Sequence, residues 1–423
     1  MKRIGIFCFT RNLRLHDNTL LTRATSECEQ IAFIYIKPEV SNFHRHFSPH
    51  VNQGQASLSF EVQSVKNLRV NLGDQGQVLL GYQGKRSIVL NTLLELNPEI
   101  TDVYFADGSD WELRQLKEYL RNKHASLDIH AKCNNQLFEY NEFPFDLSEL
   151  PKTFTSFRKK AEDLPVLLPL NEASLNAIAR FDLNDQGLTA WDEDVANIEF
   201  QFLGGESEGH EHLASYFNTP RALSYKETRN HFDDWTHSTA FSLWLAWGCI
   251  TPRQILTQLR QYEHRHGSND STYWIYFELL WREYFRLYAL KHGRKLFAFK
   301  GITDKRPLTT FYTQPYRSWC EGNTGFPVVD ACMKQLNQTG MMSNRGRQLV
   351  ASCFVHELGL DWRFGAAYFE AMLIDYDVSS NWGNWQYLAG VGADPRGHRK
   401  FDLDKQQQWY DPKGKFISRW NEN

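Results

Sequence analysis

The spacing of the apolar residues changes once along the chain, and this change most constrains the fold. In the first 135 residues, short runs of β-branched and aromatic residues alternate with segments of helical spacing. Such alternation predicts an α/β domain with a doubly wound parallel sheet over residues 1–135. The predicted strands are Arg3–Phe9, Ile31–Ile36, Val78–Leu80, Val103–Ala106 and Leu127–Ala131, and the clearest predicted helices are Val51–Leu72 and Asp110–His124.

The helical period dominates from Leu213 onward, and 11 of the 13 tryptophans follow residue 230. Residues 213–423 are therefore predicted to form a larger, all-α domain. Residues 136–212 are rich in Pro, Asn, Asp and Glu and predict a connector with short surface helices. The predicted helices of the second half include Pro252–Arg265, Trp274–Lys291, Pro327–Gln338, Gly346–Glu357 and Trp362–Ile374.

Composition narrows the class of protein. A net charge of −3 excludes a polycation, so any nucleic-acid surface has to be local. Seven scattered cysteines without CxxC pairs favour reduced thiols in the cytoplasm over a disulfide framework. The first apolar run is too short for a signal peptide, and no long uncharged apolar window predicts a membrane span. We expect a cytoplasmic protein without a membrane partner.

Residues 340–395 combine tryptophan, carboxylate and carboxamide side chains more densely than core segments do. A buried polar group without a partner costs roughly a few kcal/mol, so this stretch predicts a polar and aromatic ligand. A flavin fits that description. The side chains concerned are Asn344, Arg345, Arg347, Trp362, Asp375, Asp377, Asn381, Trp382, Asn384 and Trp385.

Several sequence blocks are distinctive when they are taken together. They are FTRNLRLHDNTLL, FPFDLSELPKTFTSFRKK, YKETRN, STAFSLWLAWGCITPRQI, ELLWREYFR, and TGFPVVDACMKQLNQTGMMSNRGRQ, which runs on to WGNWQYLAGVGADPR. This combination resembles the photolyase/cryptochrome family, most of all its cryptochrome-DASH branch, nearly from end to end. The resemblance implies an α/β domain, a helical domain that binds FAD, and often a folate antenna (5,10-methenyltetrahydrofolate).

A run of hydroxyl-bearing residues predicts where the phosphates of FAD bind. Residues 238–242, Ser-Thr-Ala-Phe-Ser, precede a predicted helix, whose first backbone N–H groups suit a diphosphate. An ordinary serine or threonine helix cap gives the same pattern. The resemblance favours the cofactor and implies contacts from Tyr225, Ser238, Thr239, Phe241, Ser242, Arg282 and Arg347.

Asp375 and Asp377 are spaced like a divalent-metal pair or a solvated turn. The resemblance implies instead that both contact the flavin's ribose and isoalloxazine edge together with Asn381. The carboxamide of Asn381 would face the flavin N5 atom, where it can donate or accept a hydrogen bond. Histidine pairs such as His210 and His212 lack the cysteines or HExxH spacing of metal sites, so no metal is predicted.

Trp362 and Trp385 match the inner members of the family's electron-transfer chain, although a tryptophan stripe is ordinarily core. The third, surface member is expected at residue 309. This sequence has Thr309, which cannot carry an oxidising equivalent. The candidates to replace it are Trp319, the nearest tryptophan in sequence, and Tyr312 or Tyr316.

By the same resemblance, Glu278, Trp281 and Asn344 match residues that contact a flipped pyrimidine dimer. Glu278 would hydrogen-bond a carbonyl of the dimer and stabilise its radical anion. The alternative for Glu278 is a structural pair with Arg282, one helical turn later. The resemblance also makes the absence of histidine at 343–344 an argument against repair of (6-4) photoproducts.

Two basic clusters predict a phosphate-binding rim, or else solvated helix faces. Residues 253–306 contain 11 Lys/Arg against 5 Asp/Glu, and Arg396, Arg399 and Lys400 form the second cluster. For the antenna, Glu112 is the candidate contact, although an acidic residue there also suits the first turn of a helix.

The leading hypothesis is an enzyme that uses light and FAD to split cyclobutane pyrimidine dimers, favouring single-stranded DNA. The alternative is a blue-light receptor that binds DNA or a partner and signals or regulates transcription. Signalling cryptochromes usually carry a long C-terminal extension, which weighs against the receptor. No obligate protein partner is expected.

Overall fold

The structure is a computed structural model that describes residues 3–37, 39–40, 42–48, 52–193, 200–233, 235–393 and 399–421. Val51, where one predicted helix begins, and Arg396 of the second basic cluster lie outside these ranges.

The first half contains the predicted doubly wound sheet, and all of its described strand pairs are parallel. The strand order β3-β2-β1-β4-β5 confirms the α/β prediction. Every residue of β1 and β4 is buried, as expected for central strands covered by helices on both faces. The main strands are β1 (Ile4–Phe9), β2 (Gln30–Lys37), β3 (Leu79–Gln83), β4 (Asp102–Ala106) and β5 (Asp128–Lys132).

Helices connect these strands. The fifth helix starts where the Asp110 carboxylate accepts hydrogen bonds from the backbone N–H groups of Glu112 and Leu113, and basic Arg121 and Lys123 lie in its last turn. The helices are α1 (Thr19–Glu27), α2 (Asn42–Phe47), α3 (Gln55–Asp74), α4 (Arg86–Leu96) and α5 (Trp111–Lys123).

The connector contains the short helix α6 (Phe154–Ala161), as its composition predicts, but it is not confined to the surface. Phe154 and Phe157 are buried. The two-residue strand β6 (Ala179–Arg180), which periodicity did not predict, pairs with the first two residues of β2, Gln30 and Ile31. A strand this short has too few residues to show an alternating pattern.

The second half is helical, as predicted, and begins with Glu206 rather than Leu213. Thr251 and Gln254 form a reciprocal cap at the start of the tenth helix. A wide π-helical turn, Cys353–Glu357, continues the fourteenth. The helices are α7 (Glu206–Phe217), α8 (Tyr225–Thr228), α9 (Ser242–Trp247), α10 (Pro252–His266), α11 (Asp270–His292), α12 (Thr313–Glu321), α13 (Pro327–Thr339), α14 (Asn344–Ser352), α15 (Trp362–Met372), α16 (Val378–Leu388), α17 (Leu403–Tyr410) and α18 (Lys415–Asn421).

The loop after β1 locks the two halves together. Asp17 is fully buried and forms an ion pair with Arg253 at 2.5 Å, while Thr251 donates a hydrogen bond to the same carboxylate at 2.6 Å. Arg14, also fully buried, donates to the carbonyl of Gly248 at 2.9 Å. The RNLRLHDN block therefore fixes the position of the α/β domain against the helical domain.

Candidate functional site

A cavity in the helical half collects every residue that the resemblance assigns to the flavin. Its walls come from α8, the loop before α9, α11, the start of α14 and the segment from Leu373 through α16. The predicted cofactor residues that line it are Tyr225, Ser238, Thr239, Phe241, Ser242, Arg282, Arg347, Asp375, Asp377 and Asn381. Their convergence in one cavity identifies the candidate site.

The loop before α9 is not an ordinary serine cap. Ser238 accepts a hydrogen bond from the backbone N–H of Ala240 at 3.2 Å, and α9 starts at Phe241 without any side-chain cap. Ala240 has φ +53°, a conformation that non-glycine residues rarely adopt and that is typical of functional sites. The helix-cap alternative is therefore wrong, while diphosphate binding stays a prediction.

Tyr225 forms a buried part of the same wall. Burial raises the pKa of its phenol to about 12, so this hydroxyl stays protonated at neutral pH. A neutral phenol can donate a hydrogen bond to a cofactor in this cavity.

Asp375 and Asp377 bind different partners. Arg347 donates from Nη2 to both carboxylate oxygens of Asp375 at 2.9 Å, and from Nε to the carbonyl of Met342 at 2.9 Å. Asp377 caps α16 by accepting a hydrogen bond from the N–H of Ser380 at 2.8 Å. The two carboxylates are thus positioned by the protein separately, unlike a shared metal pair.

Within the described residues, groups with the spacing of metal ligands occur elsewhere. One consists of His16, Glu206 and His210, and the other of Glu27, Asp102 and His130. Hydrogen bonds explain the first group without a metal: Glu206 accepts from the backbone N–H groups of Leu15 and His16 at 2.8 Å.

Asn381 is held in one orientation. Its Nδ2 atom donates to the carbonyl of Ala366 at 3.0 Å, and the residue lines the cavity from the buried side of α16. This fixed carboxamide fits the predicted contact with flavin N5, which stays a prediction.

Glu278 has a different partner from the one its spacing suggests. Its Oε1 atom lies 2.7 Å from Nη2 of Arg229 and accepts a hydrogen bond from the indole N–H of Trp274 at 3.1 Å. Arg282 instead donates to the carbonyl of Asn135 at 2.8 Å, so the alternative of an i,i+4 pair between Glu278 and Arg282 is wrong. Burial raises the pKa of Glu278, although the Arg229 guanidinium opposes this shift.

Sequence reasoning missed Arg229 and Trp274. The signal for Arg229 was its place in the YKETRN block, and the signal for Trp274 was its position one turn before Glu278. Nε of Arg229 is buried without a hydrogen-bond partner among the described residues, and Arg229 lines the cavity. An unpaired buried donor is costly, which fits a site that receives a polar ligand.

The other two predicted substrate residues, Asn344 and Trp281, differ in their position relative to the cavity. Asn344 lines the cavity as the first residue of α14, where Ser343 caps the helix by accepting from the N–H of Gly346 at 3.1 Å. Trp281 stacks on Phe154 with ring centroids 3.7 Å apart, and it is not among the described residues that line the cavity. The role of Trp281 as an aromatic wall stays a prediction.

The tryptophan network contains a branch that the sequence did not reveal. Trp385 lines the cavity, and the ring of Trp319 lies 6.1 Å from it in a T-shaped arrangement. Trp319 is fully buried, so it does not provide the surface end of the predicted path. The ring centroids of Trp362 and Trp382 lie 5.8 Å apart. Thr309, the position of the expected surface member, is half-buried.

A second cavity lies between the α/β domain and the helical domain, and Glu112 lines it. Glu112 is in the first turn of α5 and pairs with Arg86 at 3.1 Å, while burial raises its pKa. Nη1 of Arg11 and Nε of Arg86, two residues of the same wall, are buried without partners in the described part of the chain. These donors fit a ligand with anionic or carbonyl groups.

The two cavities share a wall. Leu373 and Tyr376 line both of them, so ligands in the two cavities would be neighbours.

Cations and aromatic rings lie side by side around the first cavity. Lys226 and Arg229 lie over the ring of Trp274 at 5.1 and 5.9 Å. Arg345 lies 5.0 Å from the ring of Tyr410. This pairing suits a nucleic-acid strand, whose phosphates need cations and whose bases need stacking surfaces.

Two residues of the second basic cluster already have partners. Arg399 lies 4.4 Å from the ring of Tyr387, while Lys400 pairs with Glu357 at 3.0 Å.

Comparison with known proteins identifies the class that this fold and site define. Residues 6–173 match the DNA photolyase family model, and residues 274–422 match the FAD binding domain of DNA photolyase. The chain belongs to the photolyase/cryptochrome family. Within that family its relatives are cryptochrome DASH proteins. The one from Idiomarina loihiensis is 48% identical over 421 residues, covering 99% of this chain and 92% of that protein.

Solved structures agree with this assignment. The cryptochrome of Synechocystis sp. superposes with a TM-score of 0.89 at 35% identity, covering 99% of this chain and 89% of that one. A photolyase from Sulfolobus tokodaii, solved with two FAD molecules, has a TM-score of 0.74 at 27% identity and covers 99% and 90% of the two chains. In the described ranges, none of the helices combines the length and apolar character needed to span a membrane.

Proposed function

We propose that this protein is a light-driven, FAD-dependent lyase that splits cyclobutane pyrimidine dimers, with single-stranded DNA as its preferred substrate. One observation carries the proposal: Glu278 and Asn344 line the same cavity as all ten predicted flavin contacts. A substrate bound by Glu278 would therefore lie next to the cofactor.

The cofactor and four side chains of the cavity have separate roles in the proposed reaction. FAD, when bound and reduced, supplies light-driven one-electron chemistry. Arg282 and Arg347 offer cationic contacts for it, and Asn381 offers an oriented amide. Glu278, whose raised pKa keeps a proton on the carboxyl to higher pH, donates a hydrogen bond to a carbonyl of the dimer. That bond strengthens as negative charge develops on the pyrimidine.

The preference for single strands follows from the cost of flipping. Removing a base from a duplex costs roughly a few kcal/mol, and a single strand avoids most of that cost. The rim around the cavity pairs cations with rings, as at Lys226 and Trp274, which suits stacked bases and a flexible backbone.

Repair of a defined oligonucleotide tests the proposal. Protein loaded with chemically reduced FAD is illuminated with a single-stranded oligonucleotide that carries one thymine dimer, with a matched duplex and a dark sample as controls. We expect light-dependent loss of the dimer, faster in the single strand. If the single-stranded dimer survives illumination while FAD stays reduced, the chain is not a lyase and the receptor alternative replaces it.

We further propose that the second cavity binds a folate antenna, with Glu112 as a contact. The unpaired donors of Arg11 and Arg86 support a ligand that carries carbonyl and carboxylate groups. The absorption spectrum of the purified protein distinguishes the possibilities. A near-ultraviolet band in addition to the flavin bands supports folate, whereas two equivalents of flavin would indicate a second FAD.

A further inference from the structure

Trp382 occupies a position that the usual three-tryptophan path does not use. It is fully buried on α16, one helical turn before Trp385. Its ring lies 5.8 Å from that of Trp362 in a T-shaped arrangement. Trp382 therefore contacts the inner part of the predicted path, which lacks a surface tryptophan because residue 309 is threonine.

The indole N–H of Trp382 faces a group that can accept a proton. It lies 3.2 Å from Oε2 of Glu370 and 3.2 Å from the hydroxyl of Tyr376. The other oxygen of Glu370, Oε1, is 3.6 Å from Nδ1 of His44. The side chain of Glu370 is 28% exposed and lines the second cavity, so a proton on it can exchange with solvent.

Two other tryptophans of this network have no such partner among the described residues. The N–H of Trp362 donates to the carbonyl of Phe299 at 3.0 Å, and the N–H of Trp319 donates to the carbonyl of Val350 at 3.0 Å. A backbone carbonyl accepts a hydrogen bond but is far too weak a base to take the proton. An oxidised indole held by a carbonyl therefore keeps its charge and recombines.

The negative charge of Glu370 has a second effect. A carboxylate about 3 Å from an oxidised indole lowers the energy of the positive charge there, and the effect is larger in a buried site than in water. Positive charge that reaches Trp362 should therefore move on to Trp382 rather than return.

We propose that Trp382 is the terminal electron donor of this protein and that Glu370 accepts its proton. The proposal rests on FAD binding in the first cavity, as in the proposed function. If Trp385 gave one electron to bound, photo-excited FAD and Trp362 then reduced Trp385, the order that the resemblance implies, Trp382 would reduce Trp362 through their ring contact. The oxidised Trp382 then loses its Nε1 proton to the Glu370 carboxylate, which leaves a neutral indolyl radical and a carboxylic acid. A small thiol that enters the second cavity, which Glu370 lines, later returns one electron to the buried ring and releases its own proton to solvent, and the indole recovers its proton from Glu370.

Trp319 is the competing donor, because its ring contacts Trp385 directly. The two branches predict different radicals: a deprotonated, long-lived one on Trp382, or a protonated, short-lived one on Trp319. The absorption spectra of neutral and cationic indole radicals differ, so transient spectroscopy separates them.

Flash photolysis of FAD-loaded protein without DNA tests this assignment. We expect Trp382→Phe to remove the long-lived neutral radical and to lower the yield of FAD reduction by thiol under steady light several-fold. Trp409→Phe, the same change at an exposed tryptophan outside this network, should leave both unchanged. Loss of the neutral radical in Trp319→Phe but not in Trp382→Phe would overturn the proposal.

Glu370→Gln provides a second test that keeps the packing of Trp382. The amide cannot take a proton, so the radical should remain a cation and decay faster than in the parent protein. A neutral radical of unchanged lifetime in this variant would show that Glu370 is not the acceptor. Bound FAD and thermal unfolding of each variant control for folding. Because no DNA is present, absence of dimer repair would refute the proposed function without affecting this result.

Discussion

Replacing Glu278 with alanine should reduce dimer repair by about 10- to 100-fold. The Glu278 carboxyl lies in the cavity beside the predicted flavin contacts, and its proposed role is one hydrogen bond to the dimer. A hydrogen bond to a charged acceptor, here the negatively charged dimer, contributes about 1.5–3 kcal/mol. Since about 1.4 kcal/mol corresponds to a factor of ten in rate, losing this bond accounts for the expected decrease.

The conservative variant Glu278→Gln separates this role from a structural one. Glutamine keeps a group that can donate to a carbonyl and an oxygen that can accept from Trp274 and Arg229, but it cannot ionise. We therefore expect its repair rate to fall less than that of Glu278→Ala. Bound FAD and the midpoint of denaturation should be measured for both variants, because the contact between residue 278 and Arg229 changes in each.

The pH dependence of the repair rate tests whether protonated Glu278 is the active form. Burial raises the pKa of Glu278 above the ordinary 4.5, so the carboxyl keeps its proton to higher pH than a solvated glutamate does. Repair by the parent protein should decline as pH rises through this raised pKa, whereas Glu278→Gln should show no such decline. Initial rates on a single-stranded substrate at saturating light measure both profiles. Identical profiles, or full activity of Glu278→Ala, would refute the reasoning.

Three further substitutions test other parts of the molecule. Glu112→Gln should weaken a near-ultraviolet antenna band while leaving flavin content unchanged, as measured by absorption; an unchanged band would remove Glu112 from the antenna site. Asp17→Ala leaves Arg253 buried without its counter-ion, which should lower the free energy of unfolding by about 3–5 kcal/mol in urea denaturation. A loss below 1 kcal/mol, roughly that of an exposed pair, would contradict the interdomain lock. Gly365→Ala places a Cβ atom 2.2 Å from the ring of Trp385, so this ring must move and FAD retention should drop; a variant that retains FAD normally would show that the cavity tolerates the shift.

The architecture was predictable because its signals are local. Continuous apolar runs identified the five main strands within a few residues, since buried parallel strands need no polar face. The strand β6 was missed because its two residues pair with β2 over a separation that no local pattern records. Glu206 begins the helical half earlier than predicted because its buried carboxylate binds the backbone of residues 15 and 16, a contact between distant segments.

The candidate site was predictable for a different reason. Its lining residues followed from sequence blocks, not from periodicity, and they converge in one cavity. The contacts between side chains within the site did not follow from these sequence blocks. Helical spacing pointed to Arg282 as the partner of Glu278, whereas the partner found is Arg229, directly after the end of α8, which packs across α11. Spacing along one helix says nothing about which residue of another helix lies closer.

The burial of Trp319 has the same origin. A tryptophan on the short helix α12 can face solvent or core, and only tertiary packing decides which. Here its ring packs against Trp385 and Phe354, so proximity in sequence to Thr309 did not make it a surface residue.

The wall formed by Leu373 and Tyr376 provides a route by which the two cavities can be thermodynamically linked. Two side chains of one segment border both spaces, so a ligand that repositions the phenol of Tyr376 in one cavity reshapes the other. Whatever factor the first ligand contributes to the affinity of the second, the second must contribute to the affinity of the first. If both cavities hold chromophores as proposed, purification that strips one of them would then change the dissociation constant of the other. Affinities measured on partly loaded protein would describe a mixture.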